Sequence, residues 1–256
     1  MRTVIGLNQT AVSSLPSLSR LHWLLSVQTL VIMLGSLNRL GSWTLGYVAQ
    51  NEFLRWVDFH NMLTLPLISV TAFYLLKKEL ERGEGEGNGR HPQPDWRPLL
   101  LNLAFILGLY LFAASYGSHE TTNYLHTRFC PDGAVSDWCR IVIFNDDEFS
   151  HWLFFAGFAL LNGALMLLQV VYPWPGKVSG RDTAVLTFNA LFVALGIFAN
   201  LGFEEIGLDL YIVLGLAGLA AGLLWRYGRQ PLLLYYAVAY GVGLVSTAVY
   251  RLVVPL

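Results

Sequence analysis

The sequence predicts an all-α integral membrane protein built as a bundle of seven transmembrane helices. Hydrophobic residues make up 55% of the 256 residues and charged residues only 13%, and the mean hydropathy is positive. That composition is far from that of a water-soluble domain, so a soluble globular enzyme is excluded. The apolar residues also occur in runs of about 20, the length of helix that crosses a bilayer core.

Charged and turn residues mark the edges of the runs. The first run is interrupted by Asn38 and Arg39 and the second opens with Asp58, His60 and Asn61, whereas the other five have clean edges. No cleavage signal follows the N-terminus, so we expect the first span to be a retained signal anchor. In chain order the predicted spans are 21–40, 57–76, 98–119, 148–172, 183–202, 208–225 and 231–253.

The distribution of Lys and Arg predicts the orientation, because cytoplasmic loops of membrane proteins carry an excess of both. Eleven basic residues fall on one side of the predicted spans and five on the other. We therefore expect a cytoplasmic N-terminus and an external C-terminus, most simply in a plasma (inner) membrane. Residues 1–256 then form one transmembrane domain, with a cytoplasmic linker at 79–97 and an extracytoplasmic loop at 120–147.

Two classes of function are excluded by charge. The 16 basic and 17 acidic residues leave a net charge of -1, so no basic surface exists for nucleic acid. A retinal protein needs a lysine deep in a span, and Lys77, Lys78 and Lys177 all lie at predicted inner ends. Cys130 and Cys139 face the oxidising compartment in this topology, which favours a disulfide between them.

The acidic and histidine residues concentrate at the predicted outer ends of the second to fifth spans. In the third span, Ser115, His119 and His126 lie on one helical stripe if the helix continues past the membrane surface. Glu120 flanks that stripe. In the second span, His60 lies among aromatic and aliphatic residues near the interface, where ionisable groups usually have a partner.

The fourth span opens with the acidic stretch 145–148 and then His151. Asp147 and Glu148 precede His151 by four and three residues, and both spacings let a carboxylate and an imidazole share one metal ion. A simpler interpretation makes Asn145 or Asp146 the cap of this helix, with the acids complementing its dipole.

Imidazole and carboxylate groups in this number are typical ligands of zinc or non-haem iron. We predict a divalent metal, zinc in the first place and iron as the alternative. The candidate ligands are His60, His119, His126, Asp147, Glu148 and His151, and the candidate catalytic residues are Ser115, Glu120, Glu204 and Glu205.

Seven spans, Ser115-x-x-x-His119 at one helix end, and an acid with further histidines at the same face resemble the CREST group of membrane hydrolases, which includes alkaline ceramidases and adiponectin receptors. The resemblance implies a zinc held by histidines, with a serine and an aspartate around the water that attacks a lipid amide or ester. Ser115 and His119 match the Ser-x-x-x-His element, and Asp146 or Asp147 matches the aspartate. The family's last-span His-x-x-x-His element has no counterpart in 231–253.

The leading hypothesis is a metal-dependent enzyme that hydrolyses an amide or ester of a lipid or amphiphile at the outer leaflet. A di-iron or non-haem iron oxidase or hydroxylase is the enzyme alternative, favoured by Glu148-x-x-His151. A proton or divalent-cation transporter or binding protein is the third hypothesis. It is weakened because the span centres carry no charged residue.

Overall fold

Residues 17–82, 96–203 and 207–254 are described in the computed structural model of this chain. Within those ranges the regular structure is helical apart from one isolated β-bridge between Tyr47 and Arg55. Seven helices are long and apolar enough to cross a membrane, which confirms the all-helical class and the predicted number of such helices. They are α1 (Ser19–Leu40), α2 (Trp56–Arg82), α3 (Trp96–Phe129), α4 (Asp137–Val171), α5 (Gly180–Phe203), α6 (Leu208–Tyr227) and α7 (Pro231–Val253).

Side-chain contacts show how the helix ends are arranged. The end of α1 contacts the start of α2 through Asn38 and Asn61, and the end of α3 contacts the start of α4 through His126 and Asp146. At the other end of the bundle, His22 near the start of α1 meets Asp182 near the start of α5. We call the end of the bundle with His126 and Asp146 the histidine end, and the end with His22 and Asp182 the opposite end.

The core lies where α4 packs against α3, α6 and α7 and where α5 packs against α1 and α7. Leu165, Met166, Leu186 and Leu232 are fully buried there. The backbones of α3 and α4 approach closely at Gly108 and Gly157, where a Cβ atom on either glycine would meet backbone atoms of the other helix. Small residues of this kind let membrane helices approach closely.

Polar contacts near the middle of the bundle fix α1 against two neighbours. Gln28 exchanges hydrogen bonds with Ser69 of α2, and the Thr29 hydroxyl donates to Asn189 Oδ1 of α5 over 2.7 Å. Because the hydrocarbon core offers no water as a partner, each of these buried groups is satisfied by another helix.

Two helices contain a wider turn close to the histidine end. Residues His60–Thr64 of α2 and Phe144–Phe149 of α4 are π-helical, with hydrogen bonds from residue i to i+5. Such turns are rare and occur frequently at functional sites. The second of them contains the whole acidic stretch that the sequence singled out.

The helices at the histidine end are longer than the apolar runs. α3 continues to Phe129, and α4 begins at Asp137, so only a short turn separates them. Ser136 caps α4 by accepting a hydrogen bond from Cys139 N at 3.2 Å. The suggestion that Asn145 or Asp146 caps this helix is therefore wrong. The predicted disulfide is present and joins Cys130 to Cys139, whose Cα atoms are 5.5 Å apart.

Candidate metal centre

Asp146 is at the centre of a cluster of ionisable side chains between α3 and α4. It lies in the π-helical segment of α4, and only 1% of its surface is exposed. His126 Nδ1 is 2.9 Å from Asp146 Oδ2, and His119 Nδ1 is 3.1 Å from Asp146 Oδ1. The two histidines lie seven residues apart on α3, about two helical turns. One buried carboxylate thus faces two imidazole rings.

The two histidine contacts differ in geometry. The His126 contact has the geometry of a hydrogen bond. His119 Nδ1 is instead aligned with the backbone oxygen of Asp146 at 3.4 Å, and at 3.1 Å from Oδ1 it forms an ion pair when the ring is protonated. Among the described residues no donor satisfies Asp146 Oδ1, although that atom is buried. A buried carboxylate oxygen without a hydrogen bond is costly, so the site favours a positive charge beside it, which a protonated His119 or a metal ion would supply.

Asp147 adds a second carboxylate. Ligand atoms of His126, Asp146 and Asp147 all lie within 4.8 Å of one another. Two adjacent carboxylates repel each other unless a positive charge lies between them, and the mixed nitrogen and oxygen donors suit zinc or iron(II). Three protein ligands plus water are the usual set of a catalytic zinc site, so the residues present fit a metal ion of this kind.

His151 and Ser115 border the cluster. The His151 ring lies one turn after Asp147 on α4, with its centroid 5.3 Å from that of His119. Ser115 is buried on α3, four residues before His119 and on the same stripe. The structure therefore brings His119, His126, Asp147 and His151 together around Asp146.

Glu120 belongs to a different network, which joins α3 to α1 and α2. Its carboxylate is buried and accepts hydrogen bonds from the Arg39 guanidinium and, at 3.3 Å, from Asn61 Nδ2. Asn61 in turn accepts from Asn38 Nδ2 at 2.8 Å. Here the carboxylate serves as the counter-ion of an arginine, and these contacts hold the ends of three helices together.

Four further candidates remain. His60 hydrogen-bonds with Thr64 of its own helix at 3.1 Å and stacks on the ring of Trp56. Glu148 is exposed, unlike its neighbour Asp146. The predicted residues Glu204 and Glu205 lie outside the described residues.

Sequence reasoning gave Asp146 too small a role and did not identify Arg39 as the partner of Glu120. A signal for Asp146 was present, since Val142, Asp146 and Ser150 follow one another at four-residue spacing and all three are buried. That spacing predicts one helical face, provided that the helix begins well before the acidic stretch. No local pattern links Arg39 to Glu120, because they are 81 residues apart in the sequence.

Comparison with known proteins does not identify a family. No protein-family model matches the sequence, and the searches of curated proteins and of solved structures each find no match.

Proposed function

We propose that this chain is a multipass membrane enzyme that uses a divalent metal at the histidine end to hydrolyse an ester or amide of a lipid or amphiphile. The observation that carries the proposal is the buried Asp146 carboxylate, whose oxygens lie 2.9 and 3.1 Å from the imidazole nitrogens of His126 and His119. Among the described residues, no donor makes a hydrogen bond to Oδ1. His126, Asp146 and Asp147 would hold the metal, with His119 beside them. Zinc is the first choice and iron the second, because both accept nitrogen and oxygen ligands.

A bound zinc would activate a water molecule and polarise the carbonyl group of the substrate. The chain's own groups account for the remaining requirements of hydrolysis. His151, next to His119, is placed to accept the proton of the attacking water and to return it to the leaving alcohol or amine. Ser115, one turn deeper on α3, would donate a hydrogen bond to the substrate carbonyl.

The location of the cluster supports a substrate that enters from the bilayer. α3 and α4 carry the cluster at one end of an apolar bundle, where large hydrophobic side chains such as Phe149 and Trp152 are exposed next to it. The distribution of Lys and Arg supports an extracytoplasmic position for this end. The substrate would then come from the outer leaflet.

The first test is metal content. We expect the detergent-purified protein to hold about one zinc ion per chain, as in a catalytic site with three protein ligands. Asp146→Asn and His126→Ala should weaken zinc binding at least tenfold, since each removes a direct ligand. Asp137→Asn is the matched control, because Asp137 is an exposed carboxylate on the same helix, whose described partner is Arg140.

Equal zinc content in the wild type, both cluster variants and the control would overturn the metal site. If zinc is bound, hydrolysis of fluorescent acyl-ester and acyl-amide lipids in vesicles tests the reaction. Ser115→Ala should then lower turnover and leave the zinc content unchanged. A zinc-loaded protein with no turnover of either lipid class would refute hydrolysis.

A second candidate function is proton binding by the cluster itself. The direct hydrogen bond of 2.9 Å between His126 and Asp146 favours it, because this contact needs no metal. In that case Asp146→Asn would alter a pH-dependent property of the protein, such as its thermal stability between pH 5 and pH 8, with no metal present at any pH.

A further inference from the structure

At the opposite end of the bundle a cavity of about 410 Å³ opens between the starts of α1 and α5. Its walls include three serines (Ser17, Ser19 and Ser26) together with Trp23 and Arg181. The volume is within the usual range for small-molecule sites. It lies across the bundle from the metal cluster and has no part in the chemistry proposed there.

The one acidic group that lines this cavity already has its own hydrogen-bond partners. Asp182 Oδ1 is 2.9 Å from His22 Nε2, and Asp182 Oδ2 accepts from both the backbone and the hydroxyl of Ser179, at 3.0 and 2.6 Å. Both carboxylate oxygens are therefore occupied. Because Asp182 keeps its negative charge, an anion in this cavity would depend on the Arg181 guanidinium and the serine hydroxyls.

The other polar side chains of the wall, those of Arg181 and the serines, can donate hydrogen bonds to a ligand. Within the described ranges, no hydrogen bond or ion pair engages the Arg181 guanidinium, which is exposed in the wall and carries five N–H donors. Arg20, at the start of α1, by contrast forms an ion pair with Glu79, with 3.9 Å between Nη1 and Oε2. The hydroxyls of Ser19 and Ser26 can also donate. His22 Nε2 already contacts Asp182 and its Nδ1 is buried, so we assign the ligand to Arg181 and the serines.

We propose that this cavity binds a phosphate group, either the headgroup of an anionic lipid or a free phosphate. A phosphate presents several acceptor oxygens, which matches a wall of hydroxyl and guanidinium donors, and arginine pairs with phosphate in a bidentate manner. The first turn of α5, where Arg181 lies, adds the partial positive charge of a helix N-terminus. Exposed Trp23 at the rim is a residue typical of the membrane interface.

The test is native mass spectrometry of the full-length protein with three probes: dioleoyl phosphatidylglycerol, dioleoylglycerol, which lacks the phosphate, and inorganic phosphate. Arg181→Gln should weaken phosphatidylglycerol binding about tenfold or more, since a hydrogen bond to a charged group is lost. Arg226→Gln is the matched control, because Arg226 is an exposed arginine at the same end that does not line the cavity. If Arg181→Gln does not fold, Ser26→Val narrows the same cavity.

Binding of phosphatidylglycerol but not dioleoylglycerol, lost with Arg181→Gln or Ser26→Val and retained with Arg226→Gln, supports a lipid headgroup as the source of the phosphate. The same pattern for inorganic phosphate alone supports a free phosphate. Equal losses in Arg181→Gln and Arg226→Gln, or binding of neither phosphate probe, would overturn the site.

Discussion

The close approach of α3 and α4 predicts a measurable cost for adding one methyl group at Gly157. A Cβ atom there would lie 2.5 Å from Phe112 N and 3.0 Å from Gly108 O, whereas ordinary van der Waals contact begins near 3.4 Å. The two helices would have to separate by about 0.9 Å at this point. Overpacking of this size costs about 1–3 kcal/mol, and Gly157→Ala should lower the free energy of unfolding accordingly.

Gly196→Ala supplies the reference for this experiment. Gly196 lies on the exposed surface of α5, and a Cβ atom built there has no neighbour within 4 Å. Both substitutions bring the same gain in helix propensity, about 1 kcal/mol, so the difference between the variants isolates the packing cost. In a thermal unfolding assay on detergent-purified protein, the midpoint of Gly157→Ala should lie about 5 °C below that of Gly196→Ala. Equal midpoints would refute the packing argument.

Three further substitutions test separate contacts. Arg39→Gln should cost about 2 kcal/mol, because Glu120 (3% exposed) loses its cation, while the half-exposed position of Arg39 keeps the loss below that of a fully buried pair. Adding Glu120→Gln to Arg39→Gln should recover part of the lost stability. If the costs of the two substitutions simply add in the double variant, the two side chains do not interact. Removal of the Cys130–Cys139 disulfide should lower stability by about 2–3 kcal/mol, because the unfolded chain loses its closed loop. It should also weaken zinc binding, and an unchanged zinc affinity would show that the cluster forms without the disulfide. Asn189→Leu should lower the free energy of unfolding by about 1 kcal/mol more than Asn162→Leu. Asn189 accepts a hydrogen bond from Thr29 of α1, whereas Asn162 Nδ2 donates to Phe158 O of its own helix. Equal losses of stability would contradict this.

The apolar runs were sufficient to predict the helices but not where they end. A bilayer sets the length of an apolar run, so the centres of all seven spans follow from hydropathy. α3 and α4 continue beyond that length as polar helices that pack on each other, and hydropathy carries no signal for this. Ser136 was a usable sign of the start of α4, because serine is a favoured N-cap residue.

The candidate site was predicted in its residue types better than in its geometry. His119 and His126 were placed on one face because both lie on α3, whose helical period relates them. Asp146 was treated as a cap because the predicted fourth span began at 148, after the acidic stretch. The pairing of Arg39 with Glu120 depends on how α1 packs against α3, which no spacing within either helix specifies.

The short turn and the disulfide between α3 and α4 also bear on how the protein is assembled. Residues 96–171 form one helical hairpin, and this hairpin alone carries His119, His126, Asp146, Asp147 and His151. In the two-stage view of membrane protein folding, helices insert first and associate afterwards. Neighbouring helices joined by a short turn meet at a small entropic cost, and a cross-link there keeps them in register. Formation of the cluster is thereby a local event in one pair of helices, independent of the order in which the other five join the bundle.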